Sequence, residues 1–225
     1  MNTRDFSSPY LGPDKVPAFF EQIGNKIRYK KGEIIVSADD EMKDIYIILK
    51  GKAKQYAISK EGREKILFIL EPGGMIGDLS ISEKKETGFY VEAMESLELI
   101  KLTFKDLQEA LYKYPEFNLY ILSSLSKKAQ NLVVQLEDNC FKDAETRVCE
   151  MLIKLAFYEG KMDTSSYTIT FRTSQQFISD MVGINRITTV RIIKNLREMG
   201  LLDVKGSNYI INDISLLEMY AIKDC

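Results

Sequence analysis

The sequence predicts a chain of the α+β class, with a β-rich N-terminal part, a long helix and a mixed C-terminal part. Three observations support this prediction: short apolar segments separated by glycines up to residue 102, an uninterrupted helical pattern over about 116–139, and a helix–turn–helix pattern at 173–202. Short strands with glycine turns are typical of an antiparallel sandwich or barrel. A length of 225 residues is sufficient for two modest domains.

Five segments of the N-terminal part are predicted as strands. They are Ile45–Leu49, Ala53–Ile58, Lys65–Leu70, Phe89–Ala93 and Leu97–Leu102. The second and third are joined by Lys60–Arg63, a connection that contains a glycine, and they form the clearest hairpin. We expect residues 16–114 to form one domain.

A helix without glycine or proline is predicted next, and it carries a heptad seam. Apolar residues recur in it at spacings of three and four: Leu122, Leu125, Ala129, Leu132 and Leu136. A long helix between two domains more often pairs with its copy in a second subunit. We therefore predict a C₂ homodimer with these residues at the interface and residues 115–139 as the dimerisation helix. The alternative is a helix packed on its own domain.

Residues 140–225 contain the helix–turn–helix pattern. Thr173 or Ser174 can cap the first helix, and Asn185 can cap the second. Gly183 permits the tight turn between the two helices. A hairpin around residues 205–208 would form a wing beside them, and a last helix is expected near 215–221.

The second helix of this pattern is locally basic. Between residues 184 and 197 there are four basic residues and no acidic one, although the chain as a whole has a net charge of −2. A DNA-reading helix needs such a local concentration. Val190, Ile193 and Leu196 are predicted to face inward, and Arg186 is placed to contact a guanine edge. The alternative is a helical hairpin with solvated arginines.

The residues predicted to contact double-stranded DNA come from both helices and their caps. They are Thr173, Ser174, Asn185, Arg186, Ile187, Thr188, Thr189, Arg191 and Lys194.

The composition excludes several kinds of chemistry. The chain has no histidine, which excludes zinc sites that need histidine, histidine-ligated haem and histidine general bases. Cys140, Cys149 and Cys225 form no CxxC pair, and their odd number argues against a disulfide framework. We expect free thiols, with a redox role for Cys225 left open, and we predict neither a metal site nor an enzyme activity.

No apolar run approaches the roughly 20 residues that span a bilayer. The N-terminus also lacks the apolar core of a signal peptide. We therefore expect a cytoplasmic protein without a membrane partner.

A group of motifs covers nearly the whole chain. They are Lys31–Ile35, Ile45–Gly51, the hairpin residues Gly62, Glu64 and Lys65, the element Gly77-Asp78-Leu79, Phe141-Lys142-Asp143 with Arg147, and the turn Val182-Gly183. Together they resemble the Crp/Fnr family of bacterial transcription regulators, whose phosphate cassette contains a Gly-Glu-Leu element. The resemblance implies a double-stranded β-helix (jelly-roll) effector barrel and a winged helix–turn–helix. It also implies a homodimer whose recognition helices enter successive major grooves of a palindromic site, with RNA polymerase as a further partner.

The chain departs from the cyclic-nucleotide binders of this family. Their Arg-Ser/Thr pair, which holds the phosphate, corresponds to Thr87 and Gly88 here. Their adenine-contacting positions fall on Leu132 and Val133, which cannot pair with a base edge. We predict that the protein does not bind cyclic AMP. An Fnr-like iron–sulfur cluster needs an N-terminal group of cysteines, and none precedes Cys140.

The predicted effector pocket is apolar with few polar groups, which suits a hydrophobic or aromatic organic molecule. Its residues are Gly77, Asp78, Leu79, Ser80, Thr87, Gly88, Phe89, Tyr90, Leu132, Val133 and Leu136. The segment Tyr90–Glu95 is similar to the branch of the family that senses halogenated aromatic acids. Three alternatives stay open: a pocket that is only a filled barrel core, a regulator without an effector, and an interaction module without DNA function.

Overall fold

The computed structural model describes residues 10–11, 20–80, 85–163 and 168–222. The chain forms two compact units. We call residues 9–58 with 66–133 the barrel unit, and the unit centred on residues 134–225 the C-terminal unit.

Two β-sheets build the barrel unit, together with one short helix, one longer helix and the first part of the 27-residue helix described below. The elements are β1 (Tyr10–Leu11), α1 (Phe20–Ile23), β2 (Asn25–Tyr29), β3 (Ile34–Val36), β4 (Asp44–Lys50), β5 (Ala53–Ile58), β6 (Glu64–Leu70), β7 (Met75–Ile76), β8 (Tyr90–Ala93), β9 (Leu97–Thr103) and α2 (Phe104–Lys113). The sheet orders are β1-β6-β5-β8-β3 and β2-β9-β4-β7. This is the barrel-like architecture that the sequence predicted.

The predicted strands agree closely with the observed ones. Strand β5 has the predicted bounds, and β4 and β9 extend beyond theirs by one residue or less at either end. Strand β2 was not predicted. Its side chains are exposed or half-buried, so it lacks the apolar alternation by which a buried strand is recognised.

Helix α3 (Pro115–Phe141) runs for 27 residues and starts with a proline in its first turn, where the missing N–H costs no hydrogen bond. One face is packed: Phe117 is buried, and its ring lies edge-on to that of Phe20 at 5.3 Å. Exposed apolar side chains lie elsewhere on the helix surface. They are Leu119, Leu122, Leu132, Val133 and Leu136.

The C-terminal unit combines helices with a small sheet of order β10-β11-β13-β12. Its elements are α4 (Ala144–Glu159), β10 (Lys161–Asp163), β11 (Thr168–Arg172), α5 (Gln175–Val182), α6 (Arg186–Glu198), β12 (Leu202–Lys205), β13 (Asn208–Ile211) and α7 (Ile214–Ile222). Their apolar faces share one core. The predicted helix–turn–helix and wing hairpin are both present.

None of the described helices has the length and apolarity that crossing a membrane requires. Of the three cysteines, Cys140 is exposed and Cys149 is buried. Burial raises the pKa of Cys149 to about 12, and nearby carboxylates such as Glu145 add to this effect. The Cys149 thiol is therefore unreactive at neutral pH. Cys225 lies outside the described residues.

Candidate functional site

Of the two candidate caps for the first helix of the helix–turn–helix, Ser174 is the one observed, and the second helix begins at the predicted cap Asn185. Ser174 Oγ accepts a hydrogen bond from the Phe177 N–H at 3.0 Å, and Asn185 Oδ1 accepts one from the Ile187 N–H at 2.8 Å. Each cap satisfies a donor that the first helical turn would leave unpaired. Gly183 has a left-handed φ of 78°, which closes the turn between α5 and α6.

Helix α6 is rotated about its axis relative to the predicted orientation, so a partly different set of side chains is buried. Ile193 and Leu196 are buried as expected, together with Ile192. Val190 was predicted to face inward, but 39% of its surface is exposed. The prediction was wrong because Thr189 takes the inward position one residue earlier.

Thr189 was predicted to contact DNA, and the structure contradicts this. Its side chain is completely buried, and Thr189 Oγ1 lies 2.9 Å from Ser179 Oγ on α5. This polar contact joins the two helices within the core. Thr189 therefore fixes the packing of α6 and is not available to a base or a phosphate.

The outer face of α6 is basic and exposed. Arg186 and Arg191 are exposed, and neither forms an ion pair within the part of the chain that the structure describes. Two other cations of the helix are engaged: Lys194 lies 3.6 Å from Glu198, and Arg197 lies 3.2 Å from Asp203. The two arginines are thus the cations of α6 most available to an anionic partner.

Hydrogen bonds tie the wing to the start of the helix–turn–helix. The Thr173 N–H donates to the Ser207 carbonyl at 3.0 Å, and Arg172 Nε donates to Ser207 Oγ at 2.9 Å. Thr173 and Thr188 are half-buried, whereas Ser174 is exposed. Sequence reasoning placed Ser207 in the wing hairpin but missed its contact with Arg172, because no local signal indicates that a strand end and a hairpin tip meet.

Ion pairs and hydrogen bonds also stabilise the junction between α3 and α4. Lys142 Nζ lies 2.6 Å from Asp138 Oδ1 and 2.6 Å from Glu150 Oε2. Arg147 Nη1 donates to the Val182 carbonyl at 3.2 Å and also contacts Asn139. These contacts connect the end of α3, helix α4 and the end of α5 within one unit.

The turn that follows β7 belongs to the predicted effector region. Gly77 has a φ of +98°, and a Cβ there would lie 2.8 Å from the Asp44 carbonyl oxygen, so no other residue fits without a shift of the backbone. Asp78 and Ser80 are buried, whereas Leu79 is 37% exposed.

Three polar side chains on α3, spaced by four residues, bond the segment from Gly73 to Asp78. They are Tyr120, Ser124 and Lys128. The Tyr120 hydroxyl donates to the Gly73 carbonyl, and Ser124 Oγ donates to Asp78 Oδ2 at 2.7 Å. Residues spaced by four lie on one helix face, so the three act together on this segment.

Lys128 is the most deeply buried of the three, with 1% of its surface exposed. Its ammonium donates to the Met75 carbonyl at 2.9 Å and forms an ion pair with Asp78. Burial lowers the pKa of Lys128, and the carboxylate of Asp78 offsets part of this effect. The ammonium can stay charged in this core only because the carboxylate is beside it.

Thr87 and Gly88 hold a loop together by hydrogen bonds to the backbone. Thr87 Oγ1 lies 2.9 Å from the Ser37 carbonyl oxygen and 3.0 Å from that of Phe89. The Gly88 N–H donates to the Ala38 carbonyl at 2.9 Å. The hydroxyl that was predicted to line the pocket is therefore already engaged by the protein.

Phe89 and Tyr90 do not line one wall, which corrects the predicted pocket. Phe89 is buried in the barrel core with Val91. Tyr90 stacks on Tyr56, with ring centroids 5.4 Å apart. Tyr90 is the first residue of β8 and Phe89 comes directly before it, and the two side chains have different neighbours.

Sequence reasoning missed Ser124 and Lys128. Lys128 follows another lysine and looks like part of a solvated face, but its spacing from Tyr120 and Ser124 was a usable signal. Within the described ranges, no group of three or more cysteine, aspartate or glutamate residues is placed to hold a metal ion.

Comparison with known proteins covers both units. Residues 26–114 match the cyclic nucleotide-binding domain, and residues 146–220 match the Crp-like helix-turn-helix domain. The chain is 24% identical to the global nitrogen regulator of Synechococcus elongatus over 94% of each chain. It is 24% identical to the cAMP-activated global transcriptional regulator CRP of Haemophilus influenzae over 82% of each chain. The solved structure of OCPA-complexed CprK superposes with a TM-score of 0.74 at 20% identity, covering 95% of this chain and 97% of that one.

The buried ion pair gives a stability prediction. We expect Asp78→Ala to lower the free energy of unfolding by about 3–5 kcal/mol at neutral pH, because the Lys128 ammonium loses its counter-charge. The double variant Asp78→Ala/Lys128→Met should lose less than Asp78→Ala alone. Denaturant unfolding measures both. The control is Asp44→Ala, which breaks the more exposed pair with Lys101 and should cost less than about 1 kcal/mol.

The pH dependence of the same variant follows from the lowered pKa of Lys128. Between its pKa in the folded protein and the ordinary lysine value of 10.5, the unfolded chain binds more protons, so stability rises with pH. Without Asp78 this window extends to lower pH. The difference in free energy of unfolding between the unmodified protein and Asp78→Ala should therefore shrink as pH rises toward 10.5. A deficit independent of pH would contradict a charged Lys128.

Proposed function

The chain belongs to the Crp/Fnr family of DNA-binding transcription regulators, and from this premise we propose that it acts as a homodimer on a palindromic operator under the control of a small effector that is not a cyclic nucleotide. The members of this family are regulators and not enzymes. The observation that carries the proposal is the exposed basic face of α6, with Arg186 and Arg191 outside any described ion pair.

Helix α6 would enter the major groove with its N-terminal end. Arg186 lies at the first position of the helix and can give two parallel hydrogen bonds to a guanine edge. Arg191 follows just over one turn later and can read a base or hold a phosphate. Ile187 is 78% exposed and is suited to a thymine methyl, as Thr188 is to a methyl or a phosphate.

The remaining predicted contacts would position the helix without reading sequence. Thr173 and Ser174 lie where α5 starts, and Lys194 lies at the far end of α6. Hydrogen bonds from such residues to phosphates set orientation and register on the duplex. Asn185 contributes mainly by capping α6.

The exposed apolar face of α3 supports the dimer. Leu122, Leu132 and Leu136 are 57%, 40% and 62% exposed in the single chain. Leu125 is half-buried, and the small Ala129 is exposed. A partner helix that packs on these five residues would remove this apolar surface from water.

Several features support an effector other than cyclic AMP. The arginine that would neutralise a phosphate is replaced by Thr87, whose hydroxyl is engaged by backbone carbonyls. Leu132 and Val133 offer no polar group to an adenine edge. The effector would act through the segment between Gly73 and Asp78, because the bonds from α3 make any movement of this segment a movement of the helix.

We propose that this regulation uses neither haem nor an iron–sulfur cluster. The sequence has no histidine, and no cysteine precedes Cys140. The DNA target lies in the bacterial cytoplasm, where we expect the protein to act. RNA polymerase is a further expected partner.

A second candidate is a regulator that needs no effector. The observation in its favour is that Asp78 and Lys128 satisfy one another without a ligand. A thermal-shift screen separates the two candidates, since a ligand that binds the native state must raise the melting midpoint.

We expect Arg186→Ala and Arg191→Ala each to weaken specific operator binding by about 1–3 kcal/mol if both arginines read base edges. Gel retardation on a selected operator, at several salt concentrations, gives the affinities. Lys161→Ala, which removes an exposed charge on β10, serves as the control and should bind normally. Operator affinity unchanged in both arginine variants would refute the assignment of α6.

We expect Leu122→Asp to raise the dimer dissociation constant by at least on the order of 100-fold, because the seam would bury a carboxylate without a partner. Light scattering over a range of protein concentrations measures this change. Gln130→Asp introduces the same charge at an exposed position of α3 outside the seam and should stay dimeric. A Leu122→Asp variant that also stays dimeric would contradict the proposed interface.

Calorimetric titration with cyclic AMP should give no binding in the micromolar range, because the phosphate and the adenine would both lack partners. The cAMP-activated relative from Haemophilus influenzae provides the positive control. Micromolar binding to this chain would show that Thr87, Leu132 and Val133 do not prevent the binding of cyclic AMP.

A further inference from the structure

We propose that the barrel interior binds an uncharged, largely apolar molecule whose carbonyl oxygen accepts a hydrogen bond from Gln55. This inference rests on the effector-regulated function proposed above and specifies the chemical class of the effector.

Gln55 lies on the inner face of β5. Its partner across the ladder to β8 is Val91, and the neighbouring inward pair is Ala53 with Ala93. All three of these neighbours are fully buried, and Gln55 itself is 1% exposed. The amide therefore projects from the strand into the interior of the barrel, beside small or apolar side chains.

The amide nitrogen of Gln55 is a donor without an acceptor. Its Nε2 is buried and has no hydrogen-bond partner among the residues that the structure describes. A buried amide gives up its bonds to water on folding, and this loss is not offset unless a new acceptor is found. Leucine has nearly the same volume and would fill the position without that cost. An acceptor on a bound molecule would complete the hydrogen bonding of this amide.

The surroundings of Gln55 define the rest of the molecule. The core of this part of the barrel is apolar and includes Phe68, Phe89 and Val91. A molecule bound there would be surrounded mainly by hydrocarbon side chains, with one donor to fix its orientation.

The buried charges of the barrel unit indicate whether the acceptor on the bound molecule is neutral or anionic. Among the described residues of the barrel unit, the buried charged side chains are Asp78 and Lys128, and they neutralise each other. An anion that entered the interior would lose its hydration and find no unneutralised buried cation. The acceptor therefore belongs to an uncharged group, and we assign it to a carbonyl oxygen, which has two lone pairs to accept with.

The test compares three probes of similar size on the full chain. Acetophenone carries a carbonyl, α-methylstyrene replaces its oxygen by a methylene group, and benzoate is an anion. Thermal shift over a concentration series gives the apparent affinity of each probe. We expect acetophenone to bind roughly 3- to 10-fold more tightly than α-methylstyrene, as one net hydrogen bond allows, and benzoate to bind most weakly.

Gln55→Leu should abolish the preference for acetophenone and leave the melting midpoint of the free protein unchanged or higher. Gln108→Leu makes the same chemical change at an exposed position of α2 and should behave as the unmodified protein. The comparison of probes on the unmodified chain does not depend on how either variant folds.

Four results would overturn the proposal: equal affinities for acetophenone and α-methylstyrene, tighter binding of benzoate, no stabilisation by any probe, or a lower midpoint of free Gln55→Leu. The last would show that the amide is already satisfied within the protein. Salt-dependent operator binding is measured separately. If the probes give one of these four results and operator binding is still observed, only the proposed ligand class fails. If operator binding is absent, the proposed function fails as well.

Discussion

The buried ion pair of Lys128 with Asp78 is the contact on which the arrangement of the barrel unit depends. An ammonium with 1% of its surface exposed could not remain charged in this core without a carboxylate beside it. Lys128 belongs to α3, and Asp78 belongs to the turn after β7. Together with the bonds from Tyr120 and Ser124, the pair makes the positions of this turn and of the helix depend on each other.

Two faces of the same helix have different surroundings. The face with Phe117 and Lys128 is packed within the barrel unit, and the face with Leu122 and Leu136 is exposed. An effector that shifts the turn after β7 would therefore act directly on the helix proposed to join the two subunits. Transmission of a movement from this turn along α3 requires a rigid helix. The 27 residues of α3 contain no glycine, and their one proline lies in the first turn.

In the C-terminal unit, polar side chains determine the orientation of α6 as much as apolar ones do. Asn185 caps the helix, and Thr189 joins it to Ser179 inside the core. These contacts leave Arg186 and Arg191 on the outer face. A helix aimed by buried contacts presents its arginines in one geometry, as recognition of base edges requires.

The sequence by itself determined the order of the five predicted strands, the long helix and the helix–turn–helix, the bounds of β5, the cap Asn185 and the family, because glycine turns, periodicity and caps are local signals. Only the tertiary structure decided which side chains are buried. Val190 is apolar and yet exposed, whereas Thr189, Lys128 and Gln55 are polar and yet buried. Thr189 and Lys128 are each buried against a partner that lies elsewhere in the sequence, Ser179 and Asp78 respectively. Gln55 finds none among the described residues, and no local pattern could reveal that.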